Sequence, residues 1–266
     1  MLTQTLKTKV YDLEGNEKGE IEVPQVFSTP VRFDLIKKAV ITIQSHRFQP
    51  KGRDPMAGKR TTAESLGVGY GLARLPRVKG ENYPKARTAA FAPNTVGGRV
   101  AFPPTPEKKV KKKINKKEKL LALKSAIAAT AIKELVSKRG HKFDLAKTFP
   151  LVVSDEIQNV KRTSEIVQIL KKLGVWSDIE RVSSTIKIRA GKGKKRGRRK
   201  KMRVGPLIII MNDNGIKKAA RNIPGVTIVE LKNLNPEHLS PGTHPGRLTI
   251  WVESAIKALS EGSLNG

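Results

Sequence analysis

Leu207-Ile208-Ile209-Ile210-Met211 is an unbroken apolar run, preceded by Gly205-Pro206 and followed by Asn212-Asp213-Asn214-Gly215. A strand with one wet face alternates apolar and polar residues. A run with no polar position suits a strand covered on both faces, as in a parallel sheet between helix layers. The flanks continue that pattern. Gly215 to Asn222 reads as a helix, Val226 to Leu231 as a strand, and Arg247 to Leu259 as a final helix with Leu248, Trp251, Ala255 and Leu259 inward. Upstream, Lys161 to Leu173 reads as a helix and Leu151 to Val153 as a short strand. Leu120 to Val136 carries Leu123, Ile127, Ala131, Ile132 and Leu135 at helical spacing, and Val31 to Arg47 does the same with Leu35, Ile36, Ala39, Val40 and Ile43. Thr5 to Asp12 and Gly19 to Val23 form a predicted hairpin around Glu14-Gly15-Asn16. Strands alternating with helices predict an α/β fold, a layered domain with a largely parallel sheet flanked by helices.

Gln49 to Pro106 breaks this pattern. Its 58 residues hold eight glycines, eight prolines and ten Lys or Arg against three acids, with almost no apolar periodicity. Structureless connections beyond about 12–15 residues are uncommon inside compact domains unless they are functional. The segment therefore reads as a long extended non-globular internal loop, an arm ordered by something else. Residues 1–48 and 107–266 are left as the globular α/β domain, long enough to bury one sizeable core. Fixing backbone costs about 1–2 kcal/mol per residue. The arm has no core of its own to offset that cost, so disorder in the free chain is expected.

The charge balance names the class of partner. With 53 Lys and Arg against 23 Asp and Glu, the formal net charge is +30. Cations placed on phosphates release condensed counterions, so a polyanion is the expected partner and salt should weaken binding steeply. Two tracts besides the arm are densely basic. Lys108 to Lys119 has eight lysines and one acid, and it crowds cations at the wrong end of a helix dipole. Residues 187–203, a basic insertion within the globular part, have eleven Lys or Arg, no acid, and glycines at 191, 193 and 197. That composition cannot form a core and should stay flexible until neutralised. Lys111, Lys112 and Lys113 in the first tract, and Lys194, Lys195, Arg196, Arg198 and Arg199 in the second, are the expected phosphate contacts.

Other classes find less support. No apolar run approaches 18 residues and Met1 to Val10 has no signal-peptide pattern, so neither a membrane partner nor secretion is expected and the cytoplasm is the natural compartment. There is no cysteine, and His46, His141, His238 and His244 lack ligand-like spacing, so no metal or cofactor is expected. High Lys and absent Cys also fit the composition of thermophile proteins. Asp155-Glu156 and Asn212-Asp213-Asn214 follow strands, where α/β sheets often place chemistry; an acid cluster opening the helix near Thr163 explains the first equally well, and an Asn-Asp-Asn-Gly turn that starts the next helix is the favoured reading of the second. Gly67-Val68-Gly69-Tyr70-Gly71 follows no predicted strand and opens no helix, unlike a phosphate-binding glycine loop. With no acid, base and nucleophile converging, the chain does not read as an enzyme and no small-molecule substrate is expected.

The arm's residues support a narrower reading. Thr62-Ala-Glu-Ser-Leu-Gly-Val-Gly-Tyr-Gly-Leu-Ala-Arg-Leu-Pro-Arg-Val78, then Gly97-Gly-Arg99 and Ala101-Phe-Pro-Pro104, closely resembles the universal large-subunit ribosomal protein four family in its archaeal and eukaryotic form. The resemblance extends along the chain through Lys119-Leu-Leu-Ala-Leu-Lys-Ser-Ala-Ile127 and Arg203-Val-Gly-Pro-Leu-Ile-Ile-Ile210. A stop at Gly266, without the long carboxyl-terminal extension of eukaryotic relatives, favours the archaeal branch.

The resemblance implies a structural constituent of the large ribosomal subunit that binds its rRNA, assists assembly and has neighbouring ribosomal proteins as partners. It further implies that the arm lines the constriction of the exit tunnel, beside the nascent peptide. Half the arm, fully extended at about 3.3–3.6 Å per residue, has a ceiling of roughly 95–105 Å, which permits such reach. On this reading Gly69, Tyr70, Gly71, Leu72, Ala73 and Arg74 form the tip. Arg74 and Arg77 flank it with forked donors suited to phosphate. Arg53, Lys59, Arg60, Lys79, Lys85, Arg87 and Arg99 neutralise RNA along the stalk. Tyr70, Phe91 and Phe102 either stack on bases or pack on the arm itself. Many relatives carry an Arg beside the tip glycines, a neighbourhood that Tyr70 and Leu72 occupy here, so the resemblance does not carry over the charge facing the tunnel. Two other functions fit the same basic composition: a regulatory RNA-binding protein, which would hold an RNA hairpin without the ribosome, and an accessory to a nucleic-acid-dependent enzyme, which would need a compact acid or metal cluster.

Overall fold

The computed structural model describes residues 6–144 and 147–261. In chain order the elements are β1 (Lys7–Tyr11), β2 (Glu17–Glu22), α1 (Phe33–Ser45), β3 (Ala63–Glu64), β4 (Arg77–Val78), α2 (Lys116–Ala131), α3 (Lys133–Lys138), β5 (Leu151–Val153), α4 (Thr163–Lys172) and α5 (Trp176–Ser184). They continue with β6 (Lys187–Ile188), β7 (Lys200–Lys201), β8 (Leu207–Ile210), α6 (Ile216–Ala220), β9 (Thr227–Glu230), α7 (Pro236–Leu239), β10 (Thr249–Val252) and α8 (Glu253–Ser260). Contacts divide the chain into two units, one made of residues up to Gln44 and from Lys113 onward, the other of Ser45 to Lys112. No helix among the described residues is long and apolar enough to cross a membrane.

The first unit is built on a six-stranded sheet of order β2-β1-β5-β10-β8-β9. Only β1 and β2 pair antiparallel; every other neighbouring pair is parallel. All residues of β5, β8 and β10 are buried, because helices cover both faces, and this is why Leu207 to Ile210 carries no polar position. The β1–β2 turn falls at Glu14-Gly15-Asn16, with the Asp12 N–H donating to the Asn16 carbonyl at 2.9 Å. Gly15 takes φ 82°, and a Cβ there would stand 2.7 Å from the Lys172 carbonyl oxygen, so both conformation and space require glycine. Thr5, the predicted start of this hairpin, lies outside the described residues.

One predicted element changes identity. Arg247 to Leu259 is not a single helix: Thr249 to Val252 is strand β10, and α8 starts at Glu253. Leu248, Trp251, Ala255 and Leu259 have helical spacing, but Ile250 and Val252 between them are equally buried, so this stretch never had a polar helix face. Its β-branched and aromatic residues fit a strand packed on both sides. Trp251 is fully buried at the sheet centre and meets Phe27 edge-on at 5.3 Å between ring centroids. The Leu120 to Val136 helix also differs, beginning at Lys116 and breaking at Ile132, whose extended ψ of 104° separates α2 from α3. Trp176 to Ser184 forms α5, a helix that the apolar pattern did not mark.

A charged cluster is buried beside α5. Asp178, fully buried, receives the His141 Nδ1–H at 2.9 Å, the Arg181 Nε–H at 2.8 Å and the Lys142 backbone N–H at 3.0 Å. Burial alone would raise the Asp178 carboxyl, but the His141 and Arg181 hydrogen bonds outweigh it and hold the group below its usual 3.8. Burial pushes the His141 imidazole below its usual 6.5 despite the carboxylate, so it is neutral when folded at neutral pH. Arg247 is buried nearby, donating to the carbonyls of Gly205 at 2.9 Å and His238 at 2.8 Å and to Thr227 Oγ1 at 2.7 Å.

Replacing Trp251 by Ala should destabilise the protein by about 3–5 kcal/mol, because a large fully buried side chain leaves a cavity. Urea unfolding followed by circular dichroism checks this; a midpoint shift no larger than that of half-buried Trp176→Ala contradicts the central placement of β10. Acid should also destabilise. The unfolded chain protonates His141 near its ordinary pKa while the folded one resists, so its contribution is complete above about pH 6.5 and fades as pH falls below that. The depressed Asp178 pKa adds a second loss, starting only below about pH 4. His141→Asn should flatten the decline in urea midpoint between about pH 6.5 and 5; an unchanged slope means that His141 is not held neutral.

Candidate nucleic-acid interface

The Ser45 to Lys112 unit has no apolar core. Ala92 is its only buried apolar residue, while Val96 and Phe102 are 103% and 95% exposed. Backbone pairing holds it instead. Strand β4 pairs antiparallel with β3 through Ala63↔Val78 and Glu64↔Arg77, and on its other side Val78 N–H donates to the Thr88 carbonyl and Ala90 N–H to the Pro76 carbonyl. At the unit's ends, the Lys112 N–H donates to Ser45 Oγ at 2.9 Å and the His46 ring nitrogen lies 3.0 Å from the Lys112 carbonyl. Lys111, Lys112 and Lys113 turn exposed side chains outward.

Residues 65–76 connect β3 to β4, so Gly69 to Arg74 lies in the turn of this small ribbon. Gly67, Gly69 and Gly71 take φ of 78°, 94° and 63°, and no atom stands within 4 Å of where their Cβ atoms would be. These glycines are set by backbone conformation rather than by crowding, and they leave a bare peptide surface. Arg74 is exposed, as are Tyr70 and Leu72. Arg77 differs from its neighbour. It is half-buried, its Nη1–H donates to the Arg87 carbonyl at 2.9 Å, and it fastens β4 to the returning strand rather than standing free at the tip.

Each acid of the arm is spent on one cation. Asp54 pairs with Arg60, Glu64 with Lys79 at 2.8 Å, and Glu81 with Arg87. Exposed pairs of this kind are worth about 0–1 kcal/mol, so an incoming phosphate can compete for Arg60, Lys79 and Arg87 at little cost. Arg53, Lys59, Arg74, Lys85 and Arg99 form no ion pair among the described residues, though Arg53 helps Arg60 hold the Asp54 carboxyl low. Arg87 (φ 55°) and Phe91 (φ 65°) take left-handed backbone where the chain returns past β4.

The second basic tract has more structure than its composition predicts. Strands β6 and β7 pair antiparallel as Lys187↔Lys201 and Ile188↔Lys200, and Arg189 N–H donates to the Arg199 carbonyl at 2.8 Å. Backbone bonds at Gly191 and Gly193, with φ of 77° and 78° at Gly191 and Gly197, close a short hairpin that needs no core. Lys194, Lys195, Arg196, Arg198 and Arg199 are all exposed on it. Its base is anchored from the buried cluster: Arg181 Nη2–H donates to the Val204 carbonyl at 3.0 Å, next to the Gly205 carbonyl held by Arg247, and Thr185 Oγ1 accepts the Arg203 N–H at 3.3 Å. Sequence reading did not find Arg181 and Arg247, since a lone Arg inside an amphipathic stretch carries no periodic signal.

The acids that follow strands act as helix starters. Asp155 Oδ1 accepts the Ser254 N–H at 2.9 Å, in the first turn of α8 rather than near Thr163. Asp213 Oδ1 accepts the Gly215 N–H at 3.1 Å and the Lys217 N–H at 3.3 Å at the start of α6. Among the described residues, no group of three or more His, Asp or Glu side chains could hold a metal ion.

The arrangement is a set of exposed cations on narrow, coreless ribbons carried by an α/β domain. Comparison with known proteins gives the same direction over nearly the whole chain. The large ribosomal subunit protein uL4 of Saccharolobus solfataricus is 54% identical over 256 residues, covering 96% of this chain and 94% of that protein. The protein of the same name from Saccharolobus islandicus is 52% identical over 253 residues, covering 95% and 93%. Residues 21–262 match the model of the ribosomal protein L4/L1 family, and the chain belongs to that family.

Proposed function

We propose that this chain is a structural constituent of the large ribosomal subunit, where it binds large-subunit rRNA and assists its assembly. The observation that carries this reading is the arm: 58 residues with one buried apolar side chain and seven of its ten cations outside its three ion pairs. Backbone entropy disfavours such a segment on its own, and polyanionic RNA supplies both the countercharge and the contacts to order it. The globular unit then sits on rRNA while the arm enters between RNA strands. Arg53, Lys59, Lys85 and Arg99 meet phosphates along the stalk, and Arg60, Lys79 and Arg87 exchange their acids for phosphates. Lys111 to Lys113 and the hairpin cations Lys194, Lys195, Arg196, Arg198 and Arg199 bind further backbone. The turn from Gly69 to Arg74 lines the constriction of the peptide exit tunnel, beside the nascent chain and neighbouring ribosomal proteins. Arg77 acts mainly by shaping that turn. No step of this role needs a catalytic group, cofactor or metal.

Hydrogen exchange tests the ordering. In the RNA-free protein, amides from Gln49 to Pro106 should exchange rapidly, and binding to a large-subunit rRNA transcript should slow them; strong protection in the free chain contradicts RNA-dependent ordering. Arg74→Glu tests the tip. Losing a charge-assisted phosphate bond should weaken incorporation into subunits by about 10- to 100-fold. Subunits that assemble and translate normally with this substitution would show that Arg74 makes no such contact.

A further inference from the structure

The sheet has two open edges, β2 and β9. At β9 the Thr227 N–H donates to the Pro206 carbonyl on the β8 side. Because successive residues of a strand turn their backbone groups to opposite sides, the N–H and C=O of Ile228 face away from β8, toward the open edge. A groove of about 370 Å³ runs between this edge and α6. Ala220, Val226 and Ile228 give it an apolar floor, and Lys217, Lys218 and Arg221 stand along its wall.

The cations differ in what they are free to do. Lys217 is tied to Glu230 and lies 3.7 Å from Asp213, so the acids near the groove are already matched. Lys218 and Arg221 are exposed and have no acidic partner among the described residues. The groove also continues the basic hairpin. Arg203 ends that tract, the Gly205 N–H donates to the Gly225 carbonyl at 3.1 Å, and the next residue, Val226, lines the groove. A Cβ on Gly225 would stand 3.0 Å from the Gly205 nitrogen, so these two glycines let hairpin exit and groove entrance touch.

We propose that the groove between α6 and the free edge of β9 is an RNA-backbone site, in which Lys218 and Arg221 each hold a phosphate of a strand that continues from the β6–β7 hairpin. The outward Ile228 N–H is a third donor to that backbone, and the apolar floor accommodates ribose faces. This rests on the RNA-binding role proposed above and extends it to a part of the globular unit outside all three basic tracts. A protein strand adding to β9 would use the same edge, but two unmatched cations and continuity with a tract of eleven cations select a polyanion.

Binding of the full chain to a large-subunit rRNA transcript, measured across a salt series, tests the site. Each phosphate contact contributes about 0.7–0.9 to the slope of log affinity against log salt, so the double variant Lys218→Ala/Arg221→Ala should lose about 1.4–1.8 of that slope. Lys218→Arg/Arg221→Lys, which keeps both charges, should retain it. Lys257→Ala, beside the β2 edge and paired with Glu253, should leave the slope unchanged. A double variant with the parental slope overturns the groove site while leaving RNA binding by the arm intact. A flat salt response of the parent chain overturns RNA binding itself. The chain has no cysteine, so Arg221→Cys supplies a single attachment point for a photocrosslinker. Crosslinks to rRNA within assembled subunits support the site; crosslinks only to protein overturn it in favour of strand addition.

Discussion

Placement of β10 between β5 and β8 is the constraint on which the globular unit depends. This strand comes from the carboxyl-terminal part of the chain, yet it fills the gap between a strand that follows the arm and one that follows the basic hairpin. Until β10 is in place, β5 and β8 have unpaired backbone on facing sides and their apolar side chains are only partly covered. Every residue of all three strands is buried, so the missing strand would expose both backbone and core. Both insertions therefore lie outside the sheet's centre, the arm between α1 and α2 and the hairpin between α5 and β8, and that centre is closed by β10. That closure permits a coreless arm and a coreless hairpin without loss of the fold, since neither contributes to the central strands.

Electrostatic self-repulsion is the opposing force, and acids are distributed to contain it. In the arm each acid meets one cation at the surface, where pairs are weak and exchangeable. In the globular unit one acid is placed differently. Asp178 is fully buried and satisfies His141 and Arg181 together, and Arg181 in turn reaches the carbonyl at the foot of the hairpin. Removing the carboxylate would leave a guanidinium unmatched inside the protein, a change of the costly kind. Burial also lowers Arg247 to about 9, and its carbonyl acceptors keep it hydrogen-bonded while still charged at neutral pH. The buried cluster thus links folding of the core to the base of a ribbon that has no core of its own, with Thr185 and Gly225 as its other holds.

Much of this was legible in the sequence, for reasons specific to each element. Leu207 to Ile210 announced a doubly covered strand because nothing polar interrupts it, and α1, α4 and α6 lie within the stretches that their periodicity marked. Thr249 to Val252 misled because buried strands and buried helix segments look alike over five residues, and Leu248, Trp251 and Ala255 have helical spacing by coincidence. The basic tract at 187–203 was legible as charge but not as a hairpin, since its pairing comes from backbone bonds and two left-handed glycines rather than from side chains. Arg77 was legible as a cation and not as a fastener for the same reason: its acceptor is a carbonyl ten residues away. The groove cations Lys218 and Arg221 carried no signal, because two charges on and just past a short helix line a groove only when an open strand lies beside them.

The two sheet edges resolve how a chain this basic can present a directed surface. An edge strand exposes unpaired backbone and invites partners, so its side chains decide which partners are admitted. Strand β2 carries Glu17, Glu20 and Glu22, and its one cation, Lys18, is tied to Glu156, so the strand itself leaves no free cation for a polyanion. Strand β9, beside Lys218 and Arg221, attracts one. Because both edges belong to the same sheet, free cations beside β9 and none on β2 give the globular unit an asymmetry that the net charge of +30 conceals. In the role proposed above, RNA leaving the basic hairpin is drawn toward β9 rather than toward β2. Uniform positive charge would give affinity without orientation, whereas this arrangement gives both.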